Sequence, residues 1–320
     1  MADAIKKSKK IKFSSIFPFL GLVVVVTFFG IMVPIVTQGK ASLFSVKSLN
    51  SILNDGLYLL LMSTAYAFVM AEGQIDFSMG ANVAVSCAVA AIAAKTIGPW
   101  AAIPAALLTG FIVGMINSLV IVKLRVNSFI TTLSMQYICN GLTLLVLSGA
   151  TVMAPLEMMN WYTDWLKIVF AVVFVVAGFF VFEKTRYGKA CKAVGSSPEA
   201  VRQSGINVTL TRMLPYIIMG VVAGLVGFLS LIRTITASAQ TGSSLMMNVL
   251  NACLIGGVPF TGGTNAKFRS VLLGVLTMTV LSCGMTLIQV DTIMQQVVKG
   301  VIFLVAVSIS YDRSNVKVIK

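Results

Sequence analysis

Residues that could do chemistry are few in this chain of 320 residues, which contains ten acidic side chains and no histidine. Two carboxylates, Glu72 and Asp76, stand close together in a segment that glycines flank at positions 73 and 80. Ionised carboxylates are costly at membrane depth and usually face a cavity or a partner group. The segment therefore predicts either a broken helix that lines a polar pathway or an interfacial turn whose carboxylates are solvated.

Uncharged amides form a second group of candidates. They lie in or beside apolar segments, where they could bind the hydroxyl groups of a passing solute or could hydrogen-bond neighbouring helices. Asn140 and Gln240 belong to this group. With the two carboxylates, the candidate pathway residues are Glu72, Asp76, Asn82, Asn127, Asn248 and Asn251.

Catalytic and metal chemistry find little support in the sequence. No nucleophile is grouped with a base, so we expect no catalytic residue and no enzyme activity. The five cysteines are scattered without a CxxC spacing. We therefore expect small buried side chains rather than metal ligands or disulfides.

A polar segment with helix punctuation interrupts the apolar sequence at mid-chain. Ser197 and Pro198 predict the N-cap and the first helical position, and Gly205 can end the helix in a left-handed conformation. A capping box between Ser196 and Glu199 is the alternative. A helix of about two turns is not stable alone in water, so this one must dock against something.

The composition places the chain among membrane proteins with several spans. Hydrophobic residues make up 58% and charged residues 11% of the chain, and the mean hydropathy is +0.95. Apolar runs of about 18 residues or more predict transmembrane helices rather than barrel strands. The sequence contains about ten such runs, of which the third and the eighth are short. In chain order, the ten runs are Phe17–Val36, Ser51–Met70, Gly80–Ala94, Trp100–Val122, Ser128–Leu147, Lys167–Phe182, Met213–Ile232, Ser244–Val258, Ser270–Leu287 and Ile293–Ser310.

The net charge of +14 is concentrated in a few loops and near both ends of the sequence. Ten spans place these clusters on one side, as the positive-inside rule expects for a cytoplasmic face beside anionic lipid. We therefore expect a multi-pass membrane protein with both termini cytoplasmic, and no nucleic-acid partner. The predicted organisation is a basic N-terminus at 1–16, one transmembrane domain at 17–312 with a cytoplasmic loop at 184–212, and a tail at 313–320. The first span reads as a retained helix rather than a signal peptide.

Three short similarities suggest an internal repeat. Asn82 recurs as Asn248, Gly114 as Gly284 and Val126 as Val290, at offsets of 166, 170 and 164 residues. A competing similarity at an offset of 183 shows how easily such matches arise. If the first set is real, spans two to five repeat as spans seven to ten. Five helices separate the copies, so the copies are inverted in the membrane, with a pathway between them.

Glycines mark turns and helix contacts rather than a nucleotide site. The segment 256–263 is rich in glycine, yet no GxxxxGK[ST] motif occurs in the chain. We predict a tight turn between spans eight and nine. The GxxxG pairs at 110–114 and 220–224 permit close helix contact, and internal packing explains them better than dimerisation. Energy for any transport would therefore come from another protein.

Five segments together resemble one known family. The chain is similar to the membrane permease of ribose-type ABC importers, in the branched-chain amino acid/ribose permease superfamily, from about residue 50 to residue 312. It departs from the family pattern at Gln74, Asn127, Pro259 and Phe260. The similar segments are Gly73–Gly80, Val126–Leu133, Ala193–Val208, Leu254–Gly263 and Gln295–Gly300.

The resemblance implies an all-α permease that works with other subunits. It implies a second permease copy or a paralogue, a cytoplasmic ATPase that binds ATP and Mg²⁺, and an extracytoplasmic sugar-binding protein. This chain itself would bind no cofactor. The polar segment would be the coupling helix that docks into the ATPase. Its residues are Ser197, Pro198, Glu199, Ala200, Arg202, Gln203 and Gly205.

The resemblance also implies a substrate class. A monosaccharide, with a ribose-like pentose favoured, would cross the pathway, and a furanosyl signalling molecule or a nucleoside is the alternative. The rival from another class is a secondary transporter coupled to protons or sodium. Glu72 and Asp76 are the obvious carboxylate pair for such coupling.

Overall fold

The computed structural model describes residues 13–310, so the basic residues before position 13 and the tail at 313–320 lie outside the described part. The described chain is almost wholly helical. Its helices are α1 (Phe13–Val36), α2 (Val46–Ala71), α3 (Met79–Thr96), α4 (Ala102–Ser118), α5 (Ser128–Val146), α6 (Asp164–Phe179), α7 (Arg186–Ser196), α8 (Pro198–Gln203), α9 (Val208–Thr234), α10 (Leu245–Ile255), α11 (Phe268–Leu287) and α12 (Thr292–Ser310). Two short strands, β1 (Val152–Met153) and β2 (Thr236–Ala237), pair antiparallel.

Ten helices account for the ten predicted spans. Within residues 13–310, eight helical stretches are long and apolar enough to cross a membrane, and α10 and α12 are shorter apolar helices. Short π-helical turns extend α4 to Lys123 and α6 to Lys184. The prediction of an all-α polytopic protein with about ten spans is confirmed. The eighth span is the shortest, since α10 has only 11 residues.

The short α10 has a structural consequence. At 1.5 Å per residue, a helix of this length covers about 16 Å, roughly half of the hydrocarbon core. The loop before α10, residues 238–244, therefore has to enter the bundle to reach the helix. A Cβ atom on Gly80, at the start of α3, would lie 2.7 Å from the carbonyl oxygen of Gly242 in this loop.

The helix positions repeat at the predicted spacing. The starts of α3 and α10 are 166 residues apart, those of α4 and α11 are 166 apart, and those of α5 and α12 are 164 apart. The two halves also pack on each other in an equivalent way. In the first half, α3 and α4 pack on α9 of the second half, and in the second half α10 and α11 pack on α2 of the first. Equivalent helices are five spans apart in the chain, so the second half would run in the opposite direction if every span crosses the bundle.

The two GxxxG pairs form one internal helix crossing. A Cβ atom on Gly110 would have no room against the backbone of Gly220 and Gly224, and Gly114 meets the backbone of Tyr216 and Gly220. The interpretation of these glycines as internal contacts is confirmed. The crossing fixes α4 against α9 through backbone contact.

One end of the bundle brings together the loops that carry most of the basic residues. We call it the basic end and define it by residues 71–78, 123–128, 184–212 and 256–268. The strands β1 and β2 and the loops at 37–45, 97–101 and 288–291 lie at the opposite end. All five cysteines are buried and free.

Candidate translocation and coupling site

The predicted short helix is present as α8. The Ser197 hydroxyl accepts a hydrogen bond from the Ala200 N–H at 3.4 Å, and Pro198 takes the first helical position. Gly205 follows the helix with φ +80°, a left-handed conformation that suits glycine. The prediction from local capping chemistry is confirmed.

The alternative capping box is wrong. Ser196 is the last residue of α7, and its hydroxyl accepts a hydrogen bond from the Thr264 N–H at 3.2 Å. The carboxylate of Glu199 instead pairs with Arg202 at 2.6 Å. Ser196 therefore ties the polar segment to the glycine turn at 256–263.

Only one side of α8 is covered by the rest of the protein. Val201 is buried, whereas Glu199, Ala200, Arg202 and Gln203 are exposed. An apolar residue anchors the helix, and the polar residues around it form a free surface at the basic end. This arrangement suits a helix that docks a second protein.

The helix α7 precedes α8 and was not predicted from the sequence. The Thr185 hydroxyl caps it by accepting a hydrogen bond from Gly188 N–H at 3.2 Å. Cys191 and Val194 on one side of α7 are buried. Thr185 just before a helical run was the available signal, because threonine is a favoured N-cap residue.

A partly buried ion pair fixes α7 to two spans. Lys192 donates to Glu183 at 2.6 Å, and its ammonium group lies 4.2 Å from the centre of the Phe182 ring. The other oxygen of Glu183 accepts a hydrogen bond from the Phe268 N–H at 2.7 Å. This carboxylate joins the end of α6, the middle of α7 and the start of α11.

Three of the segments singled out in the sequence meet beneath α8. The Gly263 N–H donates to the Ala71 carbonyl oxygen at 2.8 Å. A Cβ atom on Gly195 would have no room against the same carbonyl, and one on Gly73 would lie 2.8 Å from the Thr261 carbonyl oxygen. The polar segment, the break after α2 and the glycine turn therefore touch backbone to backbone.

Glu72 lies at this junction and is 4% exposed. Neither of its carboxylate oxygens has a hydrogen-bond partner among the described residues. It lines a cavity of about 540 Å³ together with Arg125, Asn127 and Arg212. Burial raises the pKa of the Glu72 carboxyl to about 8, while the Arg212 guanidinium opposes the rise.

Asp76 has a different environment and is 3% exposed. Its carboxylate accepts hydrogen bonds from the Ser78 N–H at 2.8 Å and from the Ser78 hydroxyl at 2.6 Å. The Asn117 amide donates to that hydroxyl at 2.8 Å. Both carboxylates are buried beside a break between two helices, so the alternative of a solvated turn is wrong.

The four predicted asparagines are not brought together. Asn82 donates to the Gly110 carbonyl at 3.4 Å. Asn127 caps α5 by accepting from the Phe129 N–H at 2.9 Å. Asn251 donates to the Lys299 carbonyl at 3.2 Å, and the side-chain oxygen of Asn248 is buried without a partner among the described residues. Of the six predicted pathway residues, only Glu72 and Asn127 line the larger cavity.

Charged residues that the sequence analysis did not single out pair near the opposite end. Arg233 of α9 donates to Asp55 of α2 at 2.9 Å. Lys167 of α6 donates to Asn54 of α2 at 2.9 Å. Charges inside apolar spans usually have a partner or a functional role, and this was the available signal.

Most of the chain matches the sequence model of one protein family. The model described as branched-chain amino acid transport system / permease component matches residues 48–307. The chain belongs to this family. The match covers nine of the ten spans and every segment that meets beneath α8.

Curated relatives of this permease are import permeases of bacteria. An L-arabinose ABC transporter permease protein from Azospirillum brasilense is 33% identical over 259 residues, covering 78% of this chain and 75% of the relative. The ribose import permease protein of Escherichia coli K12 is 27% identical over 289 residues, covering 87% and 89%. The galactose/methyl galactoside import permease protein of Salmonella typhimurium is 28% identical over 319 residues, covering 89% and 93%. Among solved structures, none matches the chain.

These comparisons decide between the two transporter classes. The relatives belong to ABC importers, whose ATPase activity lies in a separate subunit. The permease is therefore not itself an enzyme. Family membership favours the ATP-driven importer over the ion-coupled secondary transporter.

Proposed function

We propose that this chain forms the translocation pathway of an ATP-driven ABC importer for a monosaccharide in a bacterial cell membrane. The relatives that carry the proposal are named for L-arabinose, ribose and galactose, which are all neutral monosaccharides. Two of the three are pentoses, so a ribose-like pentose is the favoured solute. A furanosyl signalling molecule or a nucleoside is the second candidate.

The basic end faces the cytoplasm in this proposal, because basic loops are retained on that side. A cytoplasmic ATPase binds ATP and Mg²⁺ and docks on the exposed side of α8. An extracytoplasmic sugar-binding protein delivers the solute at the opposite end, and a second permease copy or a paralogue completes the pathway. The polar surface around Val201 supports the ATPase site.

The observation that carries the mechanism is the attachment of α7 and α8 to the rest of the bundle. The Glu183–Lys192 pair joins α7 to α6 and α11, and Gly195 abuts the carbonyl of Ala71 at the end of α2. A force applied to α8 by the ATPase would reach these spans through stiff contacts. It would bias the bundle between two arrangements open at different ends.

The test is sugar uptake by the complete importer in membrane vesicles supplied with ATP. The double variant Glu199→Arg, Gly205→Pro reverses the charge at position 199 and forces proline onto a residue with φ +80°. We expect normal insertion, loss of the ATPase on co-purification and at least a tenfold loss of uptake. Normal association and uptake would contradict the proposal.

The matched control is Glu157→Arg, Gly149→Pro. It makes the same two changes at an exposed glutamate and a glycine with φ +73° at the opposite end. We expect this variant to retain the ATPase on co-purification. Its loss would show that such changes act through general misfolding.

A further inference from the structure

A second cavity, of about 270 Å³, lies where the starts of α3 and α10 meet. Its polar and aromatic lining comes from three elements. The side chains are Phe77, Gln136, Asn140, Gln240, Thr241 and Ser243. None of the described residues that line this cavity is charged, whereas the larger cavity at the basic end contains glutamate and arginine.

The cavity opens at the surface of the bundle about halfway along α5, because Asn140, Gln240 and Ser243 in its lining are exposed. Gln136, Asn140 and Leu144 of α5 line it at intervals of four residues, so one face of this helix forms its wall. Gln136 follows the first residue of α5 by eight positions, which corresponds to about 12 Å along the helix. A solute crossing the membrane beside α5 would pass these two amides.

Close backbone contact forms the floor of the cavity. A Cβ atom on Gly242 would lie 2.7 Å from the carbonyl oxygen of Gly80, and the reverse distance is also 2.7 Å. The loop that carries Gly242 is itself ordered by hydrogen bonds. Ser238 N–H donates to the Thr241 hydroxyl at 3.3 Å, and Ser243 N–H donates to the Gln240 carbonyl at 3.1 Å. These contacts order the backbone of the loop that carries Gln240 and Ser243.

The chemistry of the lining matches a neutral solute rich in hydroxyl groups. Amides and hydroxyls can each donate and accept, as a sugar hydroxyl does. The side-chain oxygen of Gln136 is buried without a hydrogen-bond partner among the described residues, which leaves an acceptor for a ligand. The partly exposed ring of Phe77 offers an apolar surface for the C–H face of a sugar ring.

We propose that this cavity is a sugar-binding site of the permease itself, which holds one monosaccharide ring in transit and contributes to selection among sugars. The inference rests on the proposed function. The volume of about 270 Å³ lies just below the range of about 300–1,000 Å³ of sites for drug-sized ligands, which suits a single sugar ring. Transport requires a site that its cargo can leave, and the described lining of this cavity has no charged group that would hold a solute more tightly.

The test compares uptake of L-arabinose, D-ribose and D-galactose by membrane vesicles containing the complete importer. Asn140→Leu and Gln240→Leu remove the amides and keep side chains of similar size. We expect at least a tenfold loss of uptake and an altered order of preference among the three sugars. The rate of ATP hydrolysis stimulated by the binding protein should stay within twofold of the wild-type rate, and Asn140→Gln should restore part of the uptake.

The control Ser134→Ala changes an exposed residue of α5 outside the cavity lining and should leave uptake unchanged.

A second measurement detects the site without transport. Asn140→Cys places a thiol in the cavity, while the five native cysteines are buried. A small thiol reagent should modify it, and millimolar concentrations of the transported sugar should slow the reaction at least threefold, with no protection at Ser134→Cys. Wild-type selectivity in both leucine variants, or absence of protection in a transporting importer, overturns the inference and leaves the proposed function intact. Failure of the wild-type importer to take up any of the three sugars overturns the proposed function.

Discussion

The Gly263 N–H donates to the carbonyl oxygen of Ala71, and Gly195 abuts the same carbonyl group. The last peptide carbonyl of α2 thus contacts both the polar segment and the glycine turn. Because the contacts involve backbone atoms, they cannot relax through side-chain rotation. A change in the position of α7 must therefore shift the ends of two other elements.

The first prediction concerns Gly195→Ala. Alanine in a helix is ordinarily more stable than glycine by about 0.5–1 kcal/mol, so any loss of stability must come from the missing space. We expect a lower thermal unfolding temperature in detergent and reduced uptake. Gly21→Ala is the control, since Gly21 lies in α1 with no atom near the added Cβ. Equal behaviour of the two variants would contradict the close contact.

The second prediction compares two ion pairs. The side chains of Lys192 and Glu183 are 11% and 25% exposed, whereas those of Arg202 and Glu199 are 73% and 63% exposed. Removing one partner of a fully buried pair costs about 3–5 kcal/mol and an exposed pair contributes about 0–1 kcal/mol, so the partly buried Lys192–Glu183 pair should matter more than the exposed pair.

The comparison uses Lys192→Met and Arg202→Met. We expect Lys192→Met to lower the unfolding temperature clearly and Arg202→Met to leave it almost unchanged. Adding Glu183→Gln to Lys192→Met should recover part of the loss, because the unpaired charge is then removed. Equal shifts in the two single variants would show that Lys192 does not anchor α7.

The third prediction concerns pH. The carboxyl of Glu72 has a pKa of about 8 in the folded protein against an ordinary value of 4.5. The folded state therefore retains a proton that the unfolded state has lost between these two values. Stability should be greatest below about pH 4.5 and fall as the pH rises to 8, by at most about 1.4 kcal/mol per pH unit from this group.

Glu72→Gln tests this expectation in a series of unfolding temperatures from pH 5 to pH 8.5. The variant should be more stable than the wild type near pH 8, with the difference shrinking towards pH 5. Glu157→Gln, at an exposed position, serves as control and should follow the wild type. Parallel curves for Glu72→Gln and the wild type would show that Glu72 is ionised throughout.

The fourth prediction separates ATP-driven from ion-driven uptake. Glu72 has no described cationic partner within hydrogen-bond distance, and Asp76 is bonded to Ser78 and so stabilises the start of α3. Glu72→Gln and Asp76→Asn should change the rate of uptake without altering its insensitivity to protonophores and sodium. A proton or sodium current in the wild type that these variants abolish would support the ion-coupled alternative.

The sequence predicted the spans and α8 well because their signals are local. Long apolar runs define the spans, and Ser197, Pro198 and Gly205 define both ends of α8. The helix α7 was missed because it is polar, and its stability depends on Glu183 and Ala71 in other elements. Such distant contacts leave no periodic pattern in the chain.

The pathway residues were harder to predict because an amide has the same sequence signature in a helix contact and in a cavity. Asn82 bonds to the Gly110 carbonyl, 28 residues away, and only the folded structure shows this partner. Asn140 and Gln240 were recognised as amides in apolar surroundings. The two amides line the same cavity because the 238–244 loop, which carries Gln240, packs against the start of α3. The backbone contact between Gly80 and Gly242 holds the loop there.

The repeat of α2–α5 as α9–α12 carries information about a conformation that this structure does not adopt. Two halves of the same fold in opposite orientations can exchange their individual shapes. If each half took up the backbone geometry of the other, whichever end is closed would open, at little net cost in packing. We expect a second state in which each half has the backbone shape of the other, with changed distances between spans that double electron–electron resonance can measure.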